Sequence, residues 1–453
     1  MMKSVSLHTL GCKLNYSETS TIAKQFEDKG YKVTDYGSPS DIFVLNTCSV
    51  TENADKECRQ IVRSVIRNNP ETYVIVTGCY AQLQPDEIAK MEGVDLVLGA
   101  NEKFKLFDYM DNFEKQNVSC VDDIDTLNIH SSAKVIRKEV YELDEFVEAF
   151  SADNDSRTRA FLKIQDGCNY KCSFCTIPMA RGKSRSLDIT KVVENAKKII
   201  DSGYKEIILT GVNTGDYDFQ ISLDDEKTLK YKLIDVLYEL NKLDISRIRI
   251  SSIEPNLLTD EILDLYASSD KFCNHFHIPL QSGDSEILKS MRRRYNSDFY
   301  KDLIYKIQDK IKDVGIGVDV IVGFPGETDT HFDNTYKFLN SLPISYLHVF
   351  SYSERRDTVA VELPNSIDVR KRRFRSQVLR NLSNKKKFDF YSKYTGTEQE
   401  VLFETVKDAG LIEGYTRNYI RVKAPYRVGE ENSIRKVKLV ETDSVKPMSC
   451  EIL

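Results

Sequence analysis

Short apolar runs alternate with amphipathic segments along the first 113 residues of the chain. The apolar runs predict strands at residues 5–10, 41–45, 73–77 and 94–98, and the amphipathic stretches predict helices at residues 19–29, 54–67 and 85–91. Near-continuous apolar strands separated by helices are typical of a parallel sheet that is covered on both faces. The pattern therefore predicts a small doubly wound α/β domain at the N-terminus.

A second alternation of strands and helices begins at residue 159. Its first strand spans residues 159–164, and the helix that follows starts at an N-capping Asp188 and stops at Gly203. Further strands are predicted at residues 206–210, 247–251, 276–280, 317–322 and 346–350. Six strands with interposed helices, without the pattern of a seventh or eighth strand, predict a partial (β/α)6 barrel.

The composition changes on either side of this barrel. Residues 122–155 carry ten acidic and three basic side chains, which indicates connecting strands and linker. Residues 370–393 carry ten basic side chains and one acid, and short β runs at 400–403, 419–422 and 437–440 then predict a small β-barrel. We therefore expect an α/β chain with an N-terminal domain at 1–120, a linker at 121–156, the partial barrel at 157–392 and a C-terminal barrel at 393–453.

Composition narrows the class of protein. Of 453 residues, 41% are hydrophobic and 30% are charged, so a packed protein is expected and a disordered one is not. The net charge of −6 argues against an overall basic coat for nucleic acid but allows a local basic patch. No apolar run approaches the roughly 18–20 residues of a membrane span, and residues 1–5 do not open a signal peptide. We expect a cytoplasmic protein, in which ten cysteines are unusual because cytosolic chains seldom keep structural disulfides.

Three of the ten cysteines follow one another as Cys168, Cys172 and Cys175, in a C-x3-C-x2-C pattern. Three thiolates at this spacing suit an iron–sulfur cluster, because zinc normally takes four ligands and no fourth Cys or His lies nearby. Three ligands on a four-iron cluster leave one iron open to a substrate. The position, just after the first barrel strand, is where the loops of β/α barrels build active sites. The alternative is three buried thiols in a loop.

Three other cysteines each follow one of the first three predicted strands. They are Cys12, Cys48 and Cys79. The carboxyl ends of adjacent strands in a doubly wound sheet converge on one crevice, so these thiols are expected to share a site. Gly11 and Gly78 would let the backbone come close to a bulky cluster. Each cysteine taken alone is equally well explained as a small buried side chain.

The chain resembles two nested families. The Cys168 triad, with Phe174 before its last cysteine, resembles the radical S-adenosylmethionine signature. Nearly the whole chain resembles the methylthiotransferase family, including a C-terminal segment similar to the RNA-binding TRAM domain. The motifs that carry the resemblance lie at residues 9–15, 46–51, 78–82, 177–182, 277–283, 291–295 and 319–328. Met179 stands where the family commonly has Tyr, and residues 353–358 stand where it commonly has a proline-rich run.

The resemblance implies the cofactors and the chemistry. It implies an auxiliary 4Fe-4S cluster and a radical 4Fe-4S cluster, with Cys12, Cys48 and Cys79 as ligands of the first and Cys168, Cys172 and Cys175 as ligands of the second. One S-adenosylmethionine would methylate a sulfur at the auxiliary cluster, and a second would give a radical that abstracts hydrogen from an unactivated carbon. Because adenine carbon-2 offers no acidic proton, no catalytic side chain beyond the clusters is expected. The protein would bind, orient and exclude water.

The substrate is suggested by family subgroup alone. Residues 48–51, 98–103 and 163–168 are most similar to the enzymes that modify threonylcarbamoyladenosine beside the tRNA anticodon. Isopentenyladenosine in tRNA and an aspartate of a ribosomal protein are the alternative substrates. An iron–sulfur RNA-binding protein without turnover is the alternative from another class. Expected partners are tRNA and an electron donor such as flavodoxin or ferredoxin, and no membrane.

Other candidate residues rest on weaker patterns. The resemblance implies S-adenosylmethionine contacts for residues at barrel strand ends and beside the triad, namely Phe174, Thr210, Gly211, Glu254, Gln281 and Ser282. Mixed aromatic and basic residues are typical of RNA contacts, and the candidates are Arg181, Tyr415, Arg417, Asn418, Tyr419 and Arg421. The alternation of side chains between the two faces of a strand would explain the mixture at residues 415–421 equally well. The basic segment 370–393 suits phosphate contacts or a solvated connecting helix equally well. His277 alternates with His275 along a strand, so a core and a functional role are both open.

Overall fold

The computed structural model describes residues 2–49, 52–109, 113, 115, 133–143, 145–150, 158–222, 228–404, 406, 410–442 and 446–453. The chain forms two compact units. The first contains residues 1–153, 166–170 and 175–185, and the second contains residues 154–165, 171–174 and 186–453. Residues 121–132, 144 and 151–156 of the predicted linker lie outside the described residues, as does Cys120, another of the ten cysteines. None of the described helices is long and apolar enough to cross a membrane.

The first unit is built on a six-stranded parallel sheet with the strand order β2-β1-β3-β4-β5-β6. Its strands are β1 (Ser4–Thr9), β2 (Lys32–Thr34), β3 (Ile42–Thr47), β4 (Tyr73–Gly78), β5 (Leu96–Leu98) and β6 (Lys134–Ile136). Its helices are α1 (Lys13–Asp28), α2 (Glu52–Asn68), α3 (Cys79–Leu83), α4 (Pro85–Ala89), α5 (Leu106–Tyr109) and α6 (Ile177–Arg181), the last contributed by the later part of the chain. Alternate residues of β3 and β4 enter two separate apolar cores, which confirms a sheet buried on both faces.

Helix α1 begins six residues earlier than the sequence pattern predicts. Its first turns carry the buried polar side chains of Asn15, Ser17 and Glu18. The inward face of these turns therefore lacks the apolar pattern from which a helix is predicted. Polar residues on a buried face are uncommon unless they have partners there. The difference therefore marks a polar site inside the first unit.

The two edge strands of this sheet are absent from the sequence-based prediction. Strands β2 and β6 are only three residues long and lie at least partly exposed to solvent, so each is too short to give a recognisable strand pattern. Strand β6 lies within the expected linker, and it extends the sheet beyond residue 120.

The second unit contains six parallel strands in two adjoining sheets, ordered β13-β10-β7 and β14-β15-β16. An isolated bridge between Ile248 and Phe272 joins the segments of the two sheets. The strands are β7 (Arg159–Lys163), β10 (Glu206–Thr210), β13 (Arg247–Ile250), β14 (His275–His277), β15 (Gly315–Val322) and β16 (Tyr346–Ser351). The predicted partial barrel is confirmed, with strand limits within a few residues.

Helices and two small strand pairs complete this barrel. The helices are α7 (Ile189–Asp201), α8 (Leu233–Asn241), α9 (Asp260–Ser268), α10 (Ser285–Ser290), α11 (Ser297–Lys310) and α12 (Asp329–Ser341). The short strands are β8 (Gln165–Asp166), β9 (Arg185–Ser186), β11 (Asp218–Ser222) and β12 (Thr228–Lys232). The Asp188 side chain accepts a hydrogen bond from the Thr190 amide, which confirms the predicted N-cap of α7.

The C-terminal part of the second unit is a long helix followed by a closed five-stranded barrel. The helix is α13 (Val369–Ser392). The strands, in the order β17-β18-β19-β21-β20, are β17 (Glu398–Phe403), β18 (Leu411–Thr416), β19 (Arg421–Pro425), β20 (Ile434–Glu441) and β21 (Met448–Ile452). The predicted small barrel is confirmed.

Candidate cluster sites

Three cysteines of the first unit lie at the carboxyl ends of three neighbouring strands. Cys12 is the N-cap of α1, Cys48 directly follows β3, and Cys79 is the first residue of α3 after β4. The register pairs Thr9 with Asn46, and Thr47 with Gly78. Strand ends that are in register bring the residues after them to one edge of the sheet. The structure thus places these three residues as the sequence predicts.

Two glycines allow the three strand ends to approach one another. Gly11 has φ +99°, and a Cβ built on it would lie 2.7 Å from the Cys48 sulfur. Gly78 has φ +97°, and its Cβ would lie 2.6 Å from the Thr47 nitrogen. Any larger side chain would be strained by the positive φ and would also push the cysteine loops apart.

Asn15, in the first turn of α1, forms hydrogen bonds to the segments that carry Cys12 and Cys48. Its Nδ2 atom donates hydrogen bonds to the carbonyl oxygens of Leu10 and Thr47, each at 2.9 Å. In return, the Asn46 amide donates to the Asn15 carbonyl oxygen at 3.0 Å. Asn15 is 1% exposed, so these bonds form away from water and fix the spacing of the Cys12 and Cys48 loops.

A buried arginine contacts the third cysteine. Arg181, the last residue of α6, is 2% exposed, and its Nε donates to the Cys79 sulfur at 3.3 Å. Its two Nη atoms donate to both carboxylate oxygens of Glu18, at 2.9 and 3.0 Å, and to the Asn15 amide oxygen at 2.6 Å. Glu18 is also paired with the fully buried Lys103 at 2.5 Å. The guanidinium is therefore held rigidly against one thiol of the site.

The same guanidinium reaches the segment that carries the first cysteine of the C-x3-C-x2-C motif. Arg181 Nη1 donates at 3.0 Å to Asp166, two residues before Cys168. The Cys168 amide in turn donates to the carbonyl oxygen of Gly182 at 3.1 Å. Cys168 and Cys175 belong to the first unit together with Arg181. The expected RNA contact of Arg181 stays a prediction, and the donors of this buried side chain are used inside the protein.

The residues at the three strand ends fit an iron–sulfur cluster. Cys48 and Cys79 are buried, whereas Cys12 is exposed. Three thiolates beside a fixed cation form a donor set suited to four irons with one left open.

The cysteines Cys58, Cys273 and Cys450 lie outside both motifs. Burial raises the pKa of each of these thiols to about 12, so they are inert.

Cys172, in the second unit, also accepts a hydrogen bond from a buried arginine. Arg293 Nη1 donates to its sulfur at 3.1 Å, Nε donates to the Tyr295 hydroxyl at 3.0 Å, and Nη2 pairs with Glu254. Desolvation raises the pKa of the Cys172 thiol, while the Arg293 guanidinium lowers it. The arrangement repeats that of Arg181: a carboxylate holds an arginine, and the arginine faces a cysteine. Arg293 thus links Glu254 to Cys172 through hydrogen bonds, and the contact of Glu254 with a cofactor stays a prediction.

The carboxyl end of β10 offers unsatisfied polar groups. The Thr210 hydroxyl is buried without a hydrogen-bond partner among the described residues, and so are both side-chain amide atoms of Asn213. A Cβ on Gly211 would lie 2.9 Å from the Gln165 side-chain oxygen, and that oxygen accepts a hydrogen bond from the backbone N–H of Asn213 at 2.8 Å. Buried polar groups seldom stay unpaired, so this strand end fits a polar ligand. Asn213 was not predicted, because an Asn in a turn carries no specific signal.

Phe174, Gln281 and Ser282, the other predicted cofactor contacts, pack against or hydrogen-bond to neighbouring residues of the protein. The Phe174 ring packs edge-on against Phe324, with 6.4 Å between centroids. Gln281 has φ +72°, and its carbonyl oxygen accepts from the Ile321 amide at 2.9 Å. The Ser282 hydroxyl is 3.2 Å from the Thr335 hydroxyl and supports the turn that begins α10. Their contact with S-adenosylmethionine stays a prediction.

Four of the predicted RNA contacts lie between the C-terminal barrel and the partial barrel. The Tyr419 hydroxyl bonds Glu206, and its ring lies 4.0 Å from the Arg249 guanidinium carbon. The Tyr415 ring lies 4.4 Å from the Arg159 guanidinium carbon, Arg417 donates to the Phe272 carbonyl oxygen at 2.9 Å, and Asn418 is 4% exposed. Arg421 differs, because 43% of its side chain is exposed beside Glu413.

The basic segment is helix α13, and its charges divide between two roles. Arg372 and Arg375 are buried, with Arg372 bonded to Glu354 at 2.9 Å and Arg375 bonded to Glu327 at 2.5 Å. Six other basic residues are exposed: Arg370, Lys371, Arg373, Arg380, Lys385 and Lys393. The helix is thus neither fully solvated nor wholly available to phosphate.

Comparison with known proteins agrees with this geometry. The chain matches the Radical SAM superfamily over residues 162–339 and the uncharacterized protein family UPF0004 over residues 4–99. In fold it is similar to the radical S-adenosylmethionine methyltransferase TsrM from Kitasatospora setae, with a TM-score of 0.52 and 15% identity over 77% of this chain and 73% of that one. The barrel and its cysteine motif thus define a radical S-adenosylmethionine protein.

Curated relatives give the particular family. The threonylcarbamoyladenosine tRNA methylthiotransferase MtaB of Bacillus subtilis is 39% identical, over 97% of this chain and 94% of that protein. The tRNA-2-methylthio-N(6)-dimethylallyladenosine synthase of Clostridium botulinum is 30% identical, again over 97% and 94%. The chain belongs to the radical S-adenosylmethionine methylthiotransferase family.

Proposed function

We propose that this protein is a transferase that adds a methylthio group to carbon-2 of N6-threonylcarbamoyladenosine in tRNA. The observation that carries the proposal is the convergence of Cys12, Cys48 and Cys79 at three adjacent strand ends, in a chain that also has the radical motif. Relatives named for this reaction are more similar (39%) than those named for dimethylallyladenosine (30%). The isopentenyladenosine substrate is accordingly the less supported alternative.

Two 4Fe-4S clusters and S-adenosylmethionine are the cofactors of the proposed reaction. Cys12, Cys48 and Cys79 would hold the auxiliary cluster, and Cys168, Cys172 and Cys175 the radical cluster. When bound, these groups supply the methylated sulfur and the radical that removes hydrogen from an unactivated carbon. Arg181 and Arg293 hold cluster-ligating sulfurs in fixed hydrogen bonds.

The remaining roles of the chain are binding and orientation. The unpartnered Thr210 hydroxyl and the Asn213 amide at the end of β10 would bind polar groups of S-adenosylmethionine. Glu254, which is held by Arg293, would contact the nucleoside part. Arg421 and the exposed basic residues of α13 would contact tRNA phosphates, so tRNA binding should weaken with salt. A flavodoxin or ferredoxin would deliver electrons, and the cytoplasm is the expected place of action.

The decisive experiment is nucleoside mass spectrometry of tRNA from a deletion strain. The methylthio derivative of threonylcarbamoyladenosine should disappear and return with the wild-type gene. The triple variant C168A/C172A/C175A should fail to restore it, whereas Cys58→Ala should restore it, because that buried thiol lies outside both sites. Unchanged methylthio-threonylcarbamoyladenosine in the deletion strain would overturn the substrate assignment.

Iron analysis separates the two clusters. Anaerobically reconstituted wild-type protein should hold about eight irons per chain, and each triple variant about four. The variant C168A/C172A/C175A should lose cleavage of S-adenosylmethionine to 5′-deoxyadenosine. The variant C12A/C48A/C79A should keep that cleavage but form no methylthiolated nucleoside. Equal iron in all three proteins would contradict the two-cluster assignment.

A further inference from the structure

Three side chains of metal-ligand type lie on three consecutive strands of the partial barrel. His277 ends β14, Asp319 lies within β15, and His348 lies within β16. The register pairs His277 with Gly317, and Asp319 with His348. Alternate residues of a strand share a face, so Asp319 is on the same face as Gly317 and next to both histidines. The strand pairing itself brings the three side chains together.

The atoms that could bind a metal lie close to one another. Asp319 Oδ1 is 2.8 Å from His277 Nε2 and 3.4 Å from His348 Nδ1. The three ligand atoms all lie within 4.8 Å of one another. Bonds of about 2.0–2.2 Å from zinc to nitrogen and oxygen place neighbouring ligand atoms about 3–3.5 Å apart, so small side-chain movements suffice.

The charge balance of the cluster favours a cation. Asp319 is 23% exposed, and its ion-pair partners are the two imidazoles. In the described part of the chain, no Lys or Arg forms an ion pair with Asp319. Both imidazoles already contact this carboxylate, but when they are neutral the cluster keeps a net negative charge. A divalent cation bound to all three side chains would balance that charge.

The neighbouring layer of side chains holds one wall of the cluster in place. His275 Nδ1 accepts from Arg249 Nε at 3.1 Å, and its Nε2 lies 2.9 Å from the Tyr346 hydroxyl. The Tyr346 ring lies 5.2 Å from the His348 ring, centroid to centroid. On the opposite side, 54% of the His348 side chain is exposed. The cluster is therefore supported on one side and open to solvent on the other, which gives an entry path.

We propose that His277, Asp319 and His348 bind a divalent transition-metal ion through Nε2, a carboxylate oxygen and Nδ1. Two imidazoles and one carboxylate suit zinc or ferrous iron, whereas magnesium and calcium prefer oxygen ligands throughout. Three protein ligands keep at least one coordination position open to solvent. The ion would also tie the outer strand β16 to β14 and β15. This site uses none of the cysteines assigned to the clusters.

Zinc retention by the reconstituted holoenzyme tests the proposal. The protein is incubated with excess zinc, passed over a chelating resin, and analysed for zinc and iron per chain. Wild-type protein should retain about one zinc ion more than His348→Ala, with equal iron in both. Because His348 is exposed, this substitution should leave the fold intact. Asp319→Asn, which keeps the size of the side chain, should lose the same zinc.

A second histidine–carboxylate pair provides the matched control. His331 Nε2 lies 3.2 Å from a carboxylate oxygen of Glu286, without a third ligand in the described chain. His331→Ala should therefore retain as much zinc as wild type. Zinc should also raise the thermal midpoint of wild type but not of His348→Ala, because an ion that binds only the folded state stabilises it. Equal zinc retention by wild type and His348→Ala, or the same thermal response in both, would overturn the proposal.

Discussion

Arg181 gives the N-terminal cysteine site a property that the cysteines alone do not have. Its guanidinium binds Cys79, Glu18 and Asp166 in a buried setting. A hydrogen bond from a cation to a ligating sulfur stabilises the more negative, reduced state of an iron–sulfur cluster. We therefore expect Arg181 to set the reduction potential of the auxiliary cluster as well as its geometry.

Replacing Arg181 tests this role. Arg181→Gln removes a charge-assisted hydrogen bond worth about 1.5–3 kcal/mol. For a one-electron couple this corresponds to a potential lower by about 60–130 mV. Potentiometric titration followed by electron paramagnetic resonance of the variant C168A/C172A/C175A would measure the auxiliary cluster alone.

Arg185 supplies the control for this measurement. It lies four residues further along and donates to the carbonyl oxygens of Leu143 and Lys183 rather than to a sulfur. Arg185→Gln should leave the potential of the auxiliary cluster close to its original value. Equal shifts in the two variants would mean that Arg181 acts by general electrostatics and not through the Cys79 bond.

Gly11 lends itself to an equally local test. Gly11→Ala would place a methyl group 2.7 Å from the Cys48 sulfur, and iron content should fall from about eight to about four per chain. Gly30→Ala is the matched change, because Gly30 has φ +84° with no atom within 4 Å of its Cβ. Both variants carry a backbone strain of about 1–2 kcal/mol. Normal iron content in Gly11→Ala would show that the cysteine loops tolerate separation.

At the scale of elements, helix α13 is anchored by arginines that its sequence would place in solvent. Arg375 and Glu327 are 1% and 2% exposed and bonded at 2.5 Å. Arg375→Met should destabilise the protein by about 3–5 kcal/mol, because it leaves a buried carboxylate without its partner. The thermal midpoint reports this change. Arg373→Met, on the exposed face of the same helix, should change it little.

A double variant distinguishes the two causes of this loss of stability, which are the unpaired charge and the lost packing. Adding Glu327→Gln to Arg375→Met removes the unpaired charge, so part of the stability should return. If the double variant is no more stable than Arg375→Met, packing rather than charge accounts for the loss.

The ion pair between Glu354 and Arg372 of helix α13 makes the stability of the protein depend on pH. The hydrogen bond from Arg372 lowers the pKa of Glu354 below its ordinary value of 4.5. A carboxyl group with a lowered pKa stabilises the folded state above its unfolded pKa, and this contribution is lost as the pH falls through its folded pKa. Wild type should therefore have a higher thermal midpoint than Glu354→Gln at pH 7, and the difference should shrink below about pH 4.5. A constant difference would contradict this assignment.

The elements differ in how well the sequence predicts them. The central strands β3 and β4 are apolar on both faces, so their pattern specifies a buried parallel sheet. The sequence does not predict the start of α1, because the residues there are polar side chains of the site. It does not predict the edge strands β2 and β6 either, because they are short and partly exposed to solvent. The cysteine positions were predicted, since strand ends in a parallel sheet converge. Their arginine partners were not, because long-range contacts such as Arg181 to Cys79 have no local signal.

For the molecule as a whole, the C-terminal barrel covers charged side chains of the partial barrel. Tyr419 contacts Glu206, Arg249 and His275, which come from three different strands. Burial and the nearby Glu206 raise the pKa of Tyr419 above its ordinary range, so its hydroxyl stays protonated and donates. The C-terminal domain is thus a structural part of the second unit.

Removing one hydroxyl group tests this structural role. Tyr419→Phe leaves the buried Glu206 carboxylate without a hydrogen-bond donor among the described residues and should cost about 1–3 kcal/mol, measured as a lower thermal midpoint. Tyr426→Phe removes a similar bond to Glu431 on the surface of the same barrel and should change the midpoint little. A similar decrease of the thermal midpoint in both variants would mean that the bond to Glu206 contributes no more to stability than the surface bond does.

The position of Arg181 in the chain has a consequence for biogenesis. Cys12, Cys48 and Cys79 leave the ribosome early, but the guanidinium that fixes Cys79 follows about a hundred residues later. The first unit also needs residues 166–170 and 175–185 before it is complete. Metal delivery to these three thiols during synthesis would therefore meet an unfinished binding site. We expect the cluster-loading machinery of the cell to act on this protein only after most of the chain has been made.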